Sequence, residues 1–192
     1  MESPETVIAS VQGTMLHHVL RQYIKDTVLD VGCGSKPYKR LFPDTKWVGL
    51  DTRPVGDIQG DAAEMPVEDS SYETVLCSDL LGYVPSPAHV VRECLRVLKP
   101  GGYGIFMARN VCPDDELLLW KFPRRGLDFL LSTAGFEDVQ LMADGALIGA
   151  EWASLTSFEK YQMRLPGDIQ GWLDLMNQRY PAVSLAIGRK GA

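Results

Sequence analysis

Short apolar runs, each too brief for a buried helix, recur along this chain with amphipathic segments between them. TVLDVG at 27–32, KWVGLD at 46–51 and TVLCS at 74–78 read as buried strands, and YGIFMAR at 103–109 has the same character. A stripe through Val7, Val11, Met15, Val19 and Tyr23 predicts a helix over 5–25, interrupted at Gly13. Ser86 as N-cap and Pro87 at the first helical position open a second helix. Its apolar face is Val90, Val91, Cys94, Leu95 and Leu98, and Pro100-Gly101-Gly102 stops it. GLDFLLSTAGF turns Leu127, Leu130, Leu131 and Ala134 inward and ends on Gly135. Two more strands, DVQLM at 138–142 and AVSLAIGRK at 182–190, flank a mostly helical stretch with a capping box, TSFE, at 156–159 and an apolar face of Ile169, Trp172, Leu173 and Met176. Strands and helices that alternate through short turns imply a parallel sheet covered on both faces, an α/β fold with three layers, α/β/α.

Composition sets outer limits on this reading. A chain of 192 residues with 45% hydrophobic content suits one domain around one sizeable core. The net charge of −6 gives no global attraction to phosphates, which argues against a nucleic-acid partner held by a broad basic face. No stretch approaches the roughly 18 consecutive apolar residues of a membrane span, and MESPETVIAS lacks the basic start and apolar run of a secretory leader. A cytoplasmic location is the expectation. Cys33, Cys77, Cys94 and Cys112 lie far apart, with no C-x-x-C pair and no histidine cluster beside them. Neither a metal site nor a disulfide framework is expected, and the thiols read as reduced.

The turn after the first strand is the chemical clue. In VLDVGCGSKPY the glycines at 32 and 34 follow a strand that carries Asp30, and a glycine there lets a ligand approach the backbone. Ligands of open α/β sheets bind beyond the C-terminal ends of the strands. A dinucleotide fingerprint would place a third glycine at 37 against a pyrophosphate, where this chain has Pro37. Asp51 ends the next strand about 20 residues after Asp30, the spacing at which a carboxylate accepts hydrogen bonds from a ribose diol.

Together with WVGLD, GDAAEMPVEDSSYETVLCSDLLGYVPSP and VLKPGGYGIF, this turn resembles the class I methyltransferases that use S-adenosylmethionine, in particular the type 11 branch with small-molecule acceptors. The likeness runs from about Thr27 to Phe136, with the elements in the family's order and spacing. It implies a Rossmann-like sheet of seven mostly parallel strands with an antiparallel last strand at 182–190. It also implies a single domain over 1–192, with an N-terminal helical cap at 1–26, a cofactor-binding core at 27–145 and a helical insert at 146–181 as an acceptor lid. On that resemblance Asp30 orients the turn and the methionine amino group. Gly32 and Gly34 match the loop around the methionine and ribose, with Cys33 between them, and Lys36 stands where many members have a third glycine. Asp51 matches the ribose-binding carboxylate, Asp61 and Ala62 the pair that reads adenine, and Ser78 the strand end whose carbonyls face the amino group. S-adenosylmethionine carries a diol, an adenine and an amino acid but no phosphate, so a pyrophosphate-binding third glycine is unnecessary. No metal is implied.

Methyl transfer from the sulfonium would be an in-line displacement in which the protein positions two reactants and excludes water. A hydroxyl or amine acceptor calls for a base within hydrogen-bond reach. Many relatives have Glu-His after the fourth strand where this chain has Gly82-Tyr83. Tyr83 is therefore the residue to consider at the catalytic position, with packing against the cofactor or the next helix as its alternative. His17, His18 and His89 receive no catalytic role. Acceptor choice is expected in the N-terminal helix, in 110–125 and in about 146–180. LLLWKF at 117–122, with Trp152, Phe158, Tyr161 and Trp172, offers surface for an apolar or aromatic small molecule, or completes the core or a dimer contact. Lys121, Arg124 and Arg125 form a basic cluster beside it. The chain reads as a monomer or homodimer. Three other readings compete: a methyltransferase-like binding or regulatory subunit without chemistry, a nicotinamide-dependent oxidoreductase, which Pro37 opposes, and a nucleic-acid methyltransferase, opposed by the missing N/D-P-P-Y/F motif and basic face.

Overall fold

A computed structural model describes residues 20–109, 117–144 and 183–192. Seven strands form one sheet: β1 (Thr27–Val31), β2 (Lys46–Asp51), β3 (Ile58–Gln59), β4 (Tyr72–Ser78), β5 (Leu98–Arg109), β6 (Glu137–Asp144) and β7 (Val183–Arg189). Their order across the sheet is β3-β2-β1-β4-β5-β7-β6. The first five run parallel, and β7 pairs antiparallel with both β5 and β6, as the seven-stranded reading expects.

The continuous apolar character of β1 follows from burial on both faces. Leu29 and Val31 face a cluster that includes Val75, Cys77 and Phe106 and is covered by α1 (Pro87–Val97) and α2 (Arg124–Ala134). Val28 faces the opposite cluster, with Trp47, Leu76, Ile105 and Ile187 beneath Leu20. On that side residues 20–23 are helical, and a 3-10 turn spans Lys39–Leu41. The remainder of the 5–25 helix, the 156–159 capping box, the 146–181 insert with its aromatics, His17, His18 and Cys112 lie outside the described residues.

Helix α2 ends on Gly135 at φ 105°, the left-handed cap read from the sequence. Two details of α1 differ from expectation. Ser86 precedes the helix, but its hydroxyl makes no capping bond; its carbonyl instead accepts from the amides of His89 and Val90. The helix also stops at Val97, and Pro100-Gly101-Gly102 lies inside β5 rather than serving as the stop. Leu98 is fully buried and pairs with Tyr72, which pulls the chain into the sheet early. Lys190 Nζ donates to the carbonyls of Leu98 at 2.6 Å and Arg96 at 3.3 Å, placing a cation where the helix dipole favours one. Pro100, which has no amide hydrogen, falls in the interval where the β4–β5 pairing is irregular, between Tyr72 and Thr74.

The sequence pattern passes over β3, which has only two residues. It joins β2 in parallel through residues 52–57 without a helix, although such a crossover usually takes a dozen residues or more. The return is held by Asp57, whose amide donates to the Gly49 carbonyl at 2.7 Å while its Oδ2 accepts from the Gly49 amide at 2.8 Å.

Phe106 is fully buried and meets Phe136 edge to face at 5.3 Å between centroids. Phe106→Ala should cost about 3–5 kcal/mol in urea denaturation. Phe129→Ala, on the exposed side of α2, should change stability by less than about 0.5 kcal/mol.

Candidate cofactor site

Gly32 and Gly34 adopt φ of 71° and 48°, a left-handed backbone that side chains with a Cβ rarely take. Lys36 is also left-handed at φ 55°, and its ammonium pairs with Asp57 at 2.8 Å. This winding turns three successive amides toward one neighbour. Gly32 N and Cys33 N both donate to the Leu50 carbonyl, at 2.8 and 3.1 Å, and Gly34 N donates to Asp51 Oδ2 at 3.1 Å. A phosphate-cradling loop keeps such amides for its anion. Here they are spent on the end of β2, which argues against a pyrophosphate ligand independently of Pro37. The fit is close: a Cβ on Gly49 would stand 2.6 Å from both Cys33 Sγ and Lys36 Cε. The Cys33 thiol is buried against β2, and burial pushes its pKa up.

Asp51 closes β2 with a buried carboxylate. Its Oδ1 accepts from Arg53 N and Nε, both at 3.0 Å, and its Oδ2 accepts from Gly34 N and Arg53 Nη2, both at 3.1 Å. The hydrogen bonds from the Arg53 guanidinium lead in bringing its pKa down to about 2. Asp30 is the opposite case. Only 2% exposed, it accepts one hydrogen bond, from Trp47 Nε1 at 3.0 Å, and burial pushes its pKa up to about 6. Trp47 is itself stacked on Phe42. The Ser78 hydroxyl lies 3.2 Å from that of Tyr38, whose pKa is raised chiefly by burial, with the carboxylates of Asp30 and Asp79 adding to the effect. The backbone of Asp79 turns left-handed at φ 58° directly after β4.

Asp61 follows β3, its Oδ1 accepting from Ala63 N at 2.8 Å, and Ala62 is buried beside it. The loop they begin is fastened to α1. Glu93 Oε2 accepts from Met65 N at 2.8 Å, while Arg96 donates to the carbonyls of Met65 and Val67, to both oxygens of Glu93 and to Asp69. Arg96→Ala should therefore raise amide hydrogen exchange across 62–69 while leaving β1 and β4 protected, as read by exchange mass spectrometry.

The ends of β1, β2, β3 and β4 thus bring Asp30, the loop from Gly32 to Lys36, Asp51, Asp61, Ala62 and Ser78 to one edge of the sheet. Tyr83 lies half-buried in the turn after β4, its amide bonded to the Leu80 carbonyl. Residues 117–122 dock on the same turn: Leu119 N and Trp120 N donate to the Gly82 carbonyl, and Trp120 Nε1 donates to the Val84 carbonyl at 2.9 Å. Leu117, Leu119 and Trp120 remain largely exposed there. His89 is exposed on α1, as its position on the polar side implies. Sequence reasoning missed Tyr38, Trp47, Gly49, Arg53, Asp57 and the Glu93–Arg96 pair. Arg53, a cation two residues beyond a candidate carboxylate, and Glu93–Arg96, an i,i+3 pair on one helix, had local signals; the others acquire partners only when strands and loops meet.

Asp30 makes stability depend on pH in a defined direction. Its native pKa, about 6, lies above the ordinary 3.8, so the stability it contributes is complete below about pH 4 and is lost as pH rises through 6. Asp30→Asn should remove a fall of up to about 3 kcal/mol between pH 4 and 6, measured by urea denaturation at each pH.

Comparison with known proteins bears on the fold and on residues 29–106. The methyltransferase domain family, in its type 11 form, matches residues 29–106. A ubiquinone biosynthesis O-methyltransferase of Paraburkholderia xenovorans is 33% identical over a stretch covering 44% of this chain and 44% of that protein, so the match spans less than half the curated relative's length. Among solved structures, a chain from the complex between the Haloferax volcanii Trm112 methyltransferase activator and a methyltransferase superposes with a TM-score of 0.70 at 21% identity, over 94% of this chain and 90% of that one. A SAM-dependent methyltransferase from Archaeoglobus fulgidus gives 0.63 at 17% identity, over 93% and 94%. At those identities the superpositions speak to fold. The strand order and the family match over 29–106 support a class I S-adenosylmethionine-dependent methyltransferase.

Proposed function

We propose that this protein binds S-adenosylmethionine at the C-terminal ends of β1 to β4 and transfers its methyl group to a small-molecule acceptor. The observation that carries the reading is Asp51, a buried, ionised carboxylate fixed by the Gly34 amide beside a glycine loop whose other amides are spent on β2. Such a carboxylate suits a ribose diol and repels a phosphate. Asp61 keeps Oδ2 for the exocyclic amine of adenine while Oδ1 holds the turn through Ala63, and the backbone at Ala62 lies next to it. Asp30, the turn from Gly32 through Cys33 and Gly34 to Lys36, and the end of β4 at Ser78 would enclose the methionine part. Asp30 and Asp79 suit the cation formed by sulfonium and ammonium, while the nearby Lys36 is already neutralised by Asp57.

Bound S-adenosylmethionine supplies an activated methyl; the chain's own residues hold, orient and desolvate the two reactants. The acceptor would lie over the turn after β4, where Leu117, Leu119 and Trp120 present apolar and aromatic surface. The likeness to O-methyltransferases of ubiquinone biosynthesis supports a hydroxyl acceptor. A hydroxyl needs its proton removed, and Tyr83 stands where many relatives have a histidine.

Excess S-adenosylhomocysteine should raise the melting temperature. At 100 times its dissociation constant the stabilisation is about 2.7 kcal/mol, or roughly 5–10 °C for a chain of this size, and Asp51→Ala should abolish the shift. Methyl transfer from labelled S-adenosylmethionine to phenolic acceptors then tests the chemistry. Cofactor binding without turnover, together with a stable protein partner, would favour the regulatory-subunit reading.

A further inference from the structure

Asp51 is already fully subscribed. Its two oxygens offer about four acceptor positions, and the Arg53 amide, Arg53 Nε, Arg53 Nη2 and the Gly34 amide take them at 3.0–3.1 Å. The two backbone donors are built into the end of β2 and the glycine loop. Pro54 further restricts the backbone of Arg53. The two guanidinium donors are different. They sit on a side chain that is 67% exposed and makes no other hydrogen bond among the described residues. A guanidinium edge presents two adjacent N–H donors to a carboxylate, and a vicinal diol presents two adjacent O–H donors to the same pair of oxygens. The two cannot occupy Asp51 together.

We propose that Arg53 is a resident competitor for the ribose subsite, an affinity-setting side chain that a ligand's diol must displace from Asp51. The inference rests on the cofactor reading above. The side chain that must move is exposed and hinges about its own rotamers, so displacement leaves the strand, the glycine loop and the two backbone bonds in place. Loss of the guanidinium leaves Asp51 ionised at neutral pH, because an ordinary carboxylate is ionised there as well. Removing Arg53 should therefore strengthen binding of ligands that carry the diol and leave ligands without it unchanged.

Isothermal titration at pH 7.5 tests this with wild type and Arg53→Ala, each against S-adenosylhomocysteine and its 2′,3′-dideoxy analogue. The expected result is S-adenosylhomocysteine binding roughly fivefold tighter in the variant, the scale of one exposed ion pair, with no gain for the dideoxy analogue. Wild type that binds while the variant binds equally or more weakly overturns the role of Arg53 and leaves the cofactor reading standing. A gain shared by both ligands also overturns it, because the effect would then be general charge rather than competition for the diol. If neither protein binds S-adenosylhomocysteine, the cofactor reading fails and the competitor role falls with it. Binding seen only in Arg53→Ala is the strongest outcome in its favour.

Discussion

The amides of Gly32, Cys33 and Gly34 all donate to the last two residues of β2, and much of the molecule's edge chemistry follows from that tie. It requires β1 and β2 to be parallel neighbours in the register that sets Val31 beside Leu50, because only then does the Leu50 carbonyl face the start of the loop. It requires left-handed backbone at 32 and 34, and no side chain at 49 where the loop leans on β2. Once made, it orients the Asp51 carboxylate and spends the donors that would otherwise attract a phosphate. One set of hydrogen bonds thus ties the loop to β2 and orients its last carboxylate.

Charge around the site is arranged in pairs of unequal strength. Lys36 and Asp57 form a local pair bound into the β2–β3 return. Asp51 and Arg53 form another, in which the acid is buried and the base is exposed. Asp30 accepts a hydrogen bond from the Trp47 indole, and burial raises its pKa to about 6. On the proposed reading, a ligand that takes the Asp51 carboxylate displaces the exposed Arg53 guanidinium and leaves the two backbone bonds in place. The reorganisation falls on a single side chain already in contact with water.

Support for the site comes from behind as well. The loop from Asp61 to Asp69 has no regular structure of its own beyond an isolated bridge between Asp61 and Glu64, yet Glu93 and Arg96 on α1 satisfy its backbone at Met65 and Val67. The same helix buries Val90, Val91, Cys94 and Val97 in the core, so packing on one face and polar clamping on the other fix the loop relative to the sheet. The chain end contributes through Lys190, which meets the carbonyls where α1 gives way to β5.

The sequence by itself determined the α/β class, the strand at 46–51 residue for residue, the inward face and glycine cap of α2, and the shared edge of Asp30, Gly32, Gly34 and Asp51. These features are local: apolar period, β-branched runs and glycine position state their meaning within a few residues. Its reading of α1 was right about the buried face and about the start at Ser86-Pro87 and wrong about the stop, because Leu98 gains more from the sheet than from another helical turn. The two-residue β3 carries no period to read and exists only as a partner of β2. Tertiary structure alone decided the raised pKa of Asp30, the Asp57 latch and the fastening of the 61–69 loop to Glu93 and Arg96. Each of these depends on burial or on the meeting of groups from separate elements, and neither distance nor solvent exclusion is written in residue order.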